Sequence, residues 1–572
     1  MFLNKRFFFF LLSHLLFFPF FSFLSSALLF GQEEAQSASP ETEAQSANPE
    51  TEAQSANPET KTQSANPETE VQSASPETDN TIFVVQRVDF DVKGRSRPFA
   101  LMYHGDFQIG EKIKGEAGLK AYIADKTQLL INQRVLADAQ ITCDRGEPDA
   151  EGIVPLYLLV KVTDSWNIIA LPYPKIDSNS GFEIIIKARD YNFLGTMSPL
   201  RIDLGYEHRD ADDQTSPVKD IFKFEIDSDT PFKALGFKWN LDFDHLFSYS
   251  WASEEGTLAY KNITGLSMEI PIQKTTLTVG LEQDFILHEE NPERYREEYG
   301  DYADFYMSSV AYTSWKIPLG VSVYNFGELT YTPKLSGRIN YRPSSELEFW
   351  RKGPSLTFSH NVGFGRIDWI GNFRKGLEGS LSNTNSFNFY SRGWENSYTF
   401  SAALYKPVTA FFGFSALAQL RQWFFFDPAA EEEGYPPYAE VGDTMRGVLN
   451  KSLKAYSKDY MISLNLDFPF RVLRFVPSEW FHTRKLRFFD FELHLSPFID
   501  MALMQGRIPV WGDKIPPPQG MLFCAGIEAI VFPAFMRSLY LRASFGYNLN
   551  KFAETLSIPK WDELFIGIGH HY

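Results

Sequence analysis

Cysteine is nearly absent from this 572-residue chain. Cys143 and Cys524 are the only two, which excludes a disulfide framework, and no Cys-x-x-Cys or Cys/His cluster suggests zinc. Positive charge is in deficit too. Lys+Arg number 54 against Asp+Glu 72, a net charge of −18, the wrong sign for a nucleic-acid binder. After residue 30 nothing approaches the ~20 unbroken apolar residues that a transmembrane helix needs. No G-x-S-x-G, H-E-x-x-H or Walker sequence is present, and no enzymatic activity, cofactor or metal is expected. What is abundant is aromatic: 16% of the chain, with 53 Phe, inside a hydrophobic share of 44%. A long, aromatic-rich chain of short alternating segments fits a soluble β protein or a transmembrane β-barrel.

The first 30 residues set the compartment. Lys5 and Arg6 form a positive start, and a long apolar run follows as far as Gly31 and Gln32. This is the pattern of a secretory signal, assigned to 1–32; a run longer than the ~7–15 residues of a usual apolar region leaves an uncleaved anchor as the alternative. No Cys follows it, so a lipoprotein anchor is excluded. Residues 33–80 hold five tandem nine-residue units, of which EAQSANPET (43–51) is typical. Each offers only Ala or Val as apolar content and carries a Pro. Nothing can be buried to offset ordering entropy, so a disordered, Pro-spaced linker is expected.

Residues 81–164 change character. Phe83–Val92 reads as a strand, residues 108–136 as helix-rich, and Ala139–Cys143 and Val154–Val162 as two further strands. Ile113, Leu119, Ile123, Leu129, Leu130 and Val135 are its candidate core. This is a small α+β domain. From residue 165 to 572 the helical period gives way to alternation. In Tyr460–Phe470, Ile462, Leu464, Leu466, Phe468 and Phe470 share one face, while Ser463, Asn465 and Asp467 share the other. Residues 397–404, 489–500 and 539–549 alternate likewise. Each such strand is apolar on one side and polar on the other. Strands of roughly ten residues match a tilted membrane span, and the last one carries Leu564, Ile566 and Ile568 on one face and ends at Tyr572. The fold class expected is mainly β: a transmembrane antiparallel barrel of about sixteen strands, preceded by the one small α+β domain.

A module of this kind followed by such a barrel resembles the BamA/TamA superfamily of outer-membrane assembly factors and two-partner-secretion transporters. The small domain resembles a POTRA domain, with 133–141 (QRVLADAQI) where that domain joins its second helix to a strand. Trp166–Pro174, Gly181–Arg189 and Asp190-Tyr-Asn-Phe-Leu-Gly-Thr196 are similar to the family's first barrel hairpin and its D-x-N-x-L-G-T turn. Met445-Arg446-Gly447-Val448 is similar to its Arg-Gly loop motif; Arg392-Gly393 is a second candidate that lies too early in the chain. In the family the Arg pairs inside the lumen with a strand Asp, which here corresponds to Asp500. The alternation independently puts Asp500 on the polar face. Val448 and Ala502 depart from the usual aromatic and Gly, and Asn465 stands where an acidic neighbour is expected.

The resemblance implies a bacterial outer-membrane protein, with the linker and small domain in the periplasm. It implies a lateral seam between the first and last strands, here Trp166–Pro174 with Pro172 and Pro174, and the last strand with Gly567 and Gly569. Ile566, Ile568 and Tyr572 would form the C-terminal recognition signal. The alternative for the prolines is that they merely sit at a strand end. Expected partners are outer-membrane lipid, unfolded outer-membrane or secreted client polypeptides, and periplasmic chaperones or accessory lipoproteins, with no nucleic acid. The leading reading is a barrel that assembles, inserts or translocates client polypeptides through the POTRA-like docking domain and the seam; a dedicated two-partner-secretion-type transporter of one exported protein and a passive porin or surface-antigen barrel are the alternatives. His570-His571, the Glu431–Glu433 run and the two cysteines read more simply as strand-end, solvated and unpaired residues than as sites.

Overall fold

The computed structural model describes residues 81–177, 181–209, 219–251, 257–287, 305–324, 326–342, 352–426, 445–446, 460–505, 520–555 and 563–568. The signal-type segment, the nine-residue repeats, Glu431–Glu433, Gly447, Val448, Gly569, His570-His571 and Tyr572 lie outside them.

The small module has strands β1 (Ile82–Lys93), β2 (Lys112–Lys114), β3 (Leu136–Arg145) and β4 (Ile153–Asp164), with helices α1 (Pro98–His104) and α2 (Gly115–Asn132). Its sheet order is β2-β1-β4-β3, with β1 and β4 parallel. In β4, Leu156, Leu158, Val160 and Val162 alternate into the core while Tyr157 and Lys161 face out. Leu119 and Leu130 of α2 close over that face beside Phe83, Val85 and Leu101. Leu129 of the expected core is only half-buried. The short α1 was not legible as a separate element: seven residues hold too few turns to show a period.

The rest of the chain is one antiparallel barrel. It begins with β5 (Ile168–Asp177), β6 (Gly181–Asp190), β7 (Leu200–Arg209), β8 (Lys219–Ala234), β9 (Phe237–Ser250) and β10 (Thr257–Ile272). It continues with β11 (Thr275–Leu287), β12 (Phe305–Ser322), β13 (Glu328–Tyr341), β14 (Pro354–Ile370), β15 (Phe373–Asn388), β16 (Trp394–Pro407) and β17 (Gly413–Phe426). It ends with β18 (Tyr460–Asp467), β19 (Phe470–Phe475), β20 (Phe491–Gln505), β21 (Gly520–Pro533), β22 (Leu541–Asn548) and β23 (Glu563–Ile568). β23 returns to β5 and the wall closes. β18 and β19 both pair with β20, so they are two pieces of one strand and the wall has eighteen strands. The expected sixteen is too few because the hairpins on one rim are very tight: Leu235-Gly236, Gln273-Lys274 and Gly371-Asn372 each join two long strands.

The wall is inside out relative to a soluble protein. Ile186, Leu204, Phe224, Phe247, Tyr260 and Leu287 stand in one continuous cross-strand row, on the outward face. The neighbouring inward row runs Arg201, Asp227, Asp244, Ile263, Asp284, Ser308. Further round, Ser380, Ser401, Gln419 and Ser463 form an inward row of uncharged polar groups. Tyr398, Phe400 and Leu404 are exposed on the outside, as the alternation of 397–404 predicts. Two of the expected runs are shorter than read. Residues 484–489 form a 3-10 turn before β20, and Leu539 is buried in a hairpin turn rather than on the outer face.

Module and barrel are knitted through the Asp190–Thr196 turn. Asp190 accepts two hydrogen bonds from the Arg95 guanidinium, at 3.1 and 2.8 Å. Fully buried Asn192 donates to Ser96 Oγ at 2.8 Å and to Asp164 Oδ2 at 3.2 Å, and accepts from the Met197 amide at 2.9 Å. Gly195 sits at φ +75°, and a Cβ there would lie 2.1 Å from the Arg95 carbonyl oxygen; only glycine fits. Met197 completes the module's own core.

A second contact lies far round the rim. Arg134 of the module is buried, donates to the carbonyls of Arg537 and Gly371 and to Asn372 Oδ1, and stacks over Trp369 at 4.1 Å. Asn132 donates to Asp368 at 2.9 Å, and Arg366 pairs with Asp125. The β6–β7 and β14–β15 turns are eight strands apart in a wall of eighteen, so the module bridges the mouth.

Two outcomes follow from this docking. Asn192→Ala strands several buried polar groups and should destabilise the module against the barrel by about 2–3 kcal/mol, read as a lowered urea midpoint in detergent micelles. His104 of α1 is held at about 4, chiefly by burial, with Lys238 adding to the effect and a backbone hydrogen bond to Thr196 opposing it. Its free value is about 6.5, so the buried neutral ring is without penalty above that pH. Docking stability should then fall as pH drops from about 6.5 towards 4, and His104→Gln should flatten that part of the slope in urea titrations.

Candidate functional site in the barrel lumen

The site is built on four inward-facing strand positions and one loop residue. β18, β20, β21 and β22 each present polar side chains to the lumen because the opposite face is taken by residues such as Ile462, Ile499, Ile527 and Leu541, all exposed on the outer wall. Asn465 lies opposite Asp500 in the β18–β20 ladder. Ser496 lies opposite Glu528, and Glu528 opposite Ser544.

Into this wall comes Arg446, 5% exposed. Its main-chain amide and Nε both donate to Asp500 Oδ2 at 2.9 Å, and Nη2 donates to Asp500 Oδ1 at 2.8 Å. Nη1 donates to Asp467 Oδ1 at 2.8 Å and lies 3.9 Å from Glu528. Glu528 in turn pairs with Arg542 at 3.3 Å. The guanidinium rests 3.7 Å from the centre of the Phe498 ring, a cation–π contact in a desolvated place. Phe498 has room to lie there because residue 526 is glycine: a Cβ on Gly526 would fall 2.4 Å from its ring. Met445 packs beside Arg446 against Met461, Ala502 and Cys524.

Two guanidinium groups and three carboxylates thus share one buried cluster. Its chemistry is that of a clamp: a planar guanidinium held bidentately fixes position and orientation. What it fixes is the loop between β17 and β18, of which Met445 and Arg446 are described.

The structure brings Arg446 and Asp500 together and puts Asn465 beside them on the same wall. The acidic neighbour is Asp467, two residues further along the same face, and sequence reasoning passed over it. Glu528, Arg542 and Phe498 were also missed; inward alternation around Ser544 and Asp500 was the signal that could have found them. Arg392 is exposed in the turn between β15 and β16 and takes no part.

The seam residues are distributed differently from expectation. Trp166 precedes β5, is 64% exposed, and donates its indole N–H to the Ile168 carbonyl; it is not part of the seam strand. Pro172 and Pro174 lie within β5, opposite Ile186 and Ile184 of β6, so they are not at a strand end. Gly567 of β23 lies opposite Arg542, and Ile566 and Ile568 opposite Ala543 and Leu541. β23 is described over six residues, Glu563–Ile568. Neither Cys143 nor Cys524 is joined in a disulfide.

No family model and no curated protein matches the sequence. Among solved structures, BamA from Haemophilus ducreyi lacking POTRA domains 1–3 is similar at 11% identity and a TM-score of 0.36, covering 85% of this chain and 83% of that one. CdiB from Acinetobacter baumannii is similar at 15% identity and a TM-score of 0.41, covering 85% and 73%. The siderophore receptor PirA from Pseudomonas aeruginosa is similar at 11% and 0.30, covering 83% and 76%. Superpositions this loose leave the functional reading to the chain's own residues.

Arg446→Ala leaves buried carboxylates without their cation and should cost about 3–5 kcal/mol. Arg446→Met combined with Asp500→Asn should recover part of that loss, because the lone buried charge at position 500 is gone. Urea unfolding in micelles, with limited proteolysis of the β17–β18 loop as a second readout, checks both.

Proposed function

We propose that this chain is a bacterial outer-membrane barrel that inserts or translocates client polypeptides, with the small module as a POTRA-like docking domain on the periplasmic side. The observation that carries the membrane part is the inverted wall: a closed ladder with a continuous apolar and aromatic row outside and rows made mostly of charged or uncharged polar groups inside. In hydrocarbon every backbone N–H and C=O must be paired internally, and closure does that. No enzymatic step or cofactor is part of this reading.

The client-handling part rests on the seam. Pro172 and Pro174 are two residues apart, so their missing N–H groups fall on the same edge of β5. The ladder to β6 runs through both without a register shift, which favours the β23 edge as the one lacking donors. Opposite it stands β23, where Gly567 offers no side chain to pack. A seam with few hydrogen bonds costs less to open than any long pair, and an opened edge accepts a client strand by β-augmentation. The alternatives of a dedicated transporter or a general assembly factor differ in client number, not in this geometry. A passive porin is less favoured, because the module bridges the mouth and Arg446 pins a loop inside.

Cysteine pairs placed between residues 168–172 and 564–568 should cross-link on oxidation. Locking them should abolish client handling while heat-modifiable migration of the barrel stays intact; unchanged activity in the locked protein would overturn the gate. Depletion followed by proteomics of the outer membrane and medium then separates the roles. Loss of many barrels marks an assembly factor, loss of one exported protein a dedicated transporter, and no change a passive channel.

A further inference from the structure

The hairpins on the module-side rim are two residues long at three places, yet the connection from β19 to β20 runs from Val476 to Asp490. It folds into a helical turn α3 (Pro477–Trp480) and a 3-10 turn, Arg484–Phe489. This insertion is built, not loose. Asp490 accepts hydrogen bonds from the Ser478 amide at 3.0 Å and from its hydroxyl. The Ala534 amide donates to the Asp490 carbonyl at 2.8 Å. Phe488 stacks on Phe535 of the β21–β22 turn at 4.4 Å, and Phe475 holds Trp480 edge-on at 5.0 Å.

Although its frame is fixed, its surface is wrong for water. Trp480, Phe481, Phe488 and Phe489 are 55–69% exposed. Around them stand Arg484, Lys485 and Arg487, all exposed, and no salt bridge engages them among the described residues. Arg471 and Arg474, by contrast, reach Glu492 and Glu479. Arg487 also repels Arg537 on the adjoining turn. A chain carrying −18 overall has thus gathered unpaired cations among exposed aromatics at one point of its rim. The patch continues the outer wall, where Phe411, Val472 and Leu473 are exposed, with Phe411 joined to Arg471 by a backbone hydrogen bond of 2.8 Å.

We infer that the insertion Val476–Asp490 is a membrane-surface anchor whose aromatic side chains enter the headgroup region while Arg484, Lys485 and Arg487 bind anionic phospholipid phosphates in the module-side leaflet. Aromatic rings favour the depth where hydrocarbon meets headgroups, and cations beside them gain from a negative lipid surface. Continuity with the apolar wall fixes the depth: the patch begins where the outward apolar band stops. The inference rests on the membrane reading above.

The test uses the full chain with Cys143→Ala and a nitroxide on His482→Cys, in phosphatidylcholine vesicles with and without phosphatidylglycerol. With phosphatidylglycerol the label should be shielded from a water-soluble relaxant and reached by oxygen. Replacing Arg484, Lys485 and Arg487 with Gln should lower the preference for phosphatidylglycerol about fivefold per charge removed, while heat-modifiable migration is retained. A label equally open to water in both vesicles, in a barrel that still migrates as folded, would overturn the anchor and leave the membrane reading standing. Shielding that appears only with spin–spin broadening at high protein-to-lipid ratio would assign the patch to a second copy. The same shielding on adding inorganic phosphate in micelles would assign it to a free anion. Absence of both vesicle association and heat-modifiable migration would defeat the membrane reading itself.

Discussion

Closure of the hydrogen-bond ladder is the constraint from which the rest follows. A sheet whose outer face is apolar cannot leave an edge open, since an unpaired peptide group in a medium without water costs several kcal/mol. Eighteen strands meet that condition by returning β23 to β5. Of the two strands that meet there, β23 is described over Glu563–Ile568 and β5 carries two prolines. On the seam proposed above, the wall opens where distant parts of the sequence have to find each other.

The inside of the wall is divided by chemistry. Strands β7 to β11 carry most of the inward carboxylates, partly answered by Lys187, Arg189, Lys223 and Lys238. Strands β14 to β17 offer Ser, Thr and Asn at the equivalent places. The Arg446 cluster sits at the far end of this progression, where the wall approaches the seam. A buried cluster of five charges is not a cheap source of stability, because desolvation cancels much of the Coulomb energy. Its geometry is better understood as positional: it brings one point of a long connection to a fixed place near the closing strands.

Much of this was legible because period two is a strong signal when the two faces differ sharply. Ser463, Asn465 and Asp467 against Ile462, Leu464 and Leu466 define inside and outside without any three-dimensional information. Arg446 and Asp500 were legible from the resemblance and from the alternation together. Asp467 was not, because only the register of β18 against β20 decides which inward acid reaches the guanidinium, and a sequence does not print register. Trp166 was misplaced for a related reason: strand ends are set by where pairing stops, not by residue type. The Arg134–Trp369 contact joins residues more than two hundred positions apart and leaves no local trace. The strand count erred because tight hairpins shorten the repeat, and their length depends on turn geometry more than on composition.

Met197 bears on the order in which the molecule can form. It belongs to the β6–β7 connection of the barrel, yet its side chain is buried in the core of the module, whose other fully buried members lie between Phe83 and Val162. The module leaves synthesis first but lacks a piece of its interior until the second barrel strand has turned into the third. Its last stage of consolidation is therefore tied to the barrel's first hairpins, and a chain whose barrel has not begun to assemble carries an unfinished, more easily opened module. Asp164 tightens the same linkage, since the carboxylate that ends the module's sheet takes one of its hydrogen bonds from Asn192 of the same connection. Coupling of this kind makes the module's rigidity a consequence of the barrel's assembly.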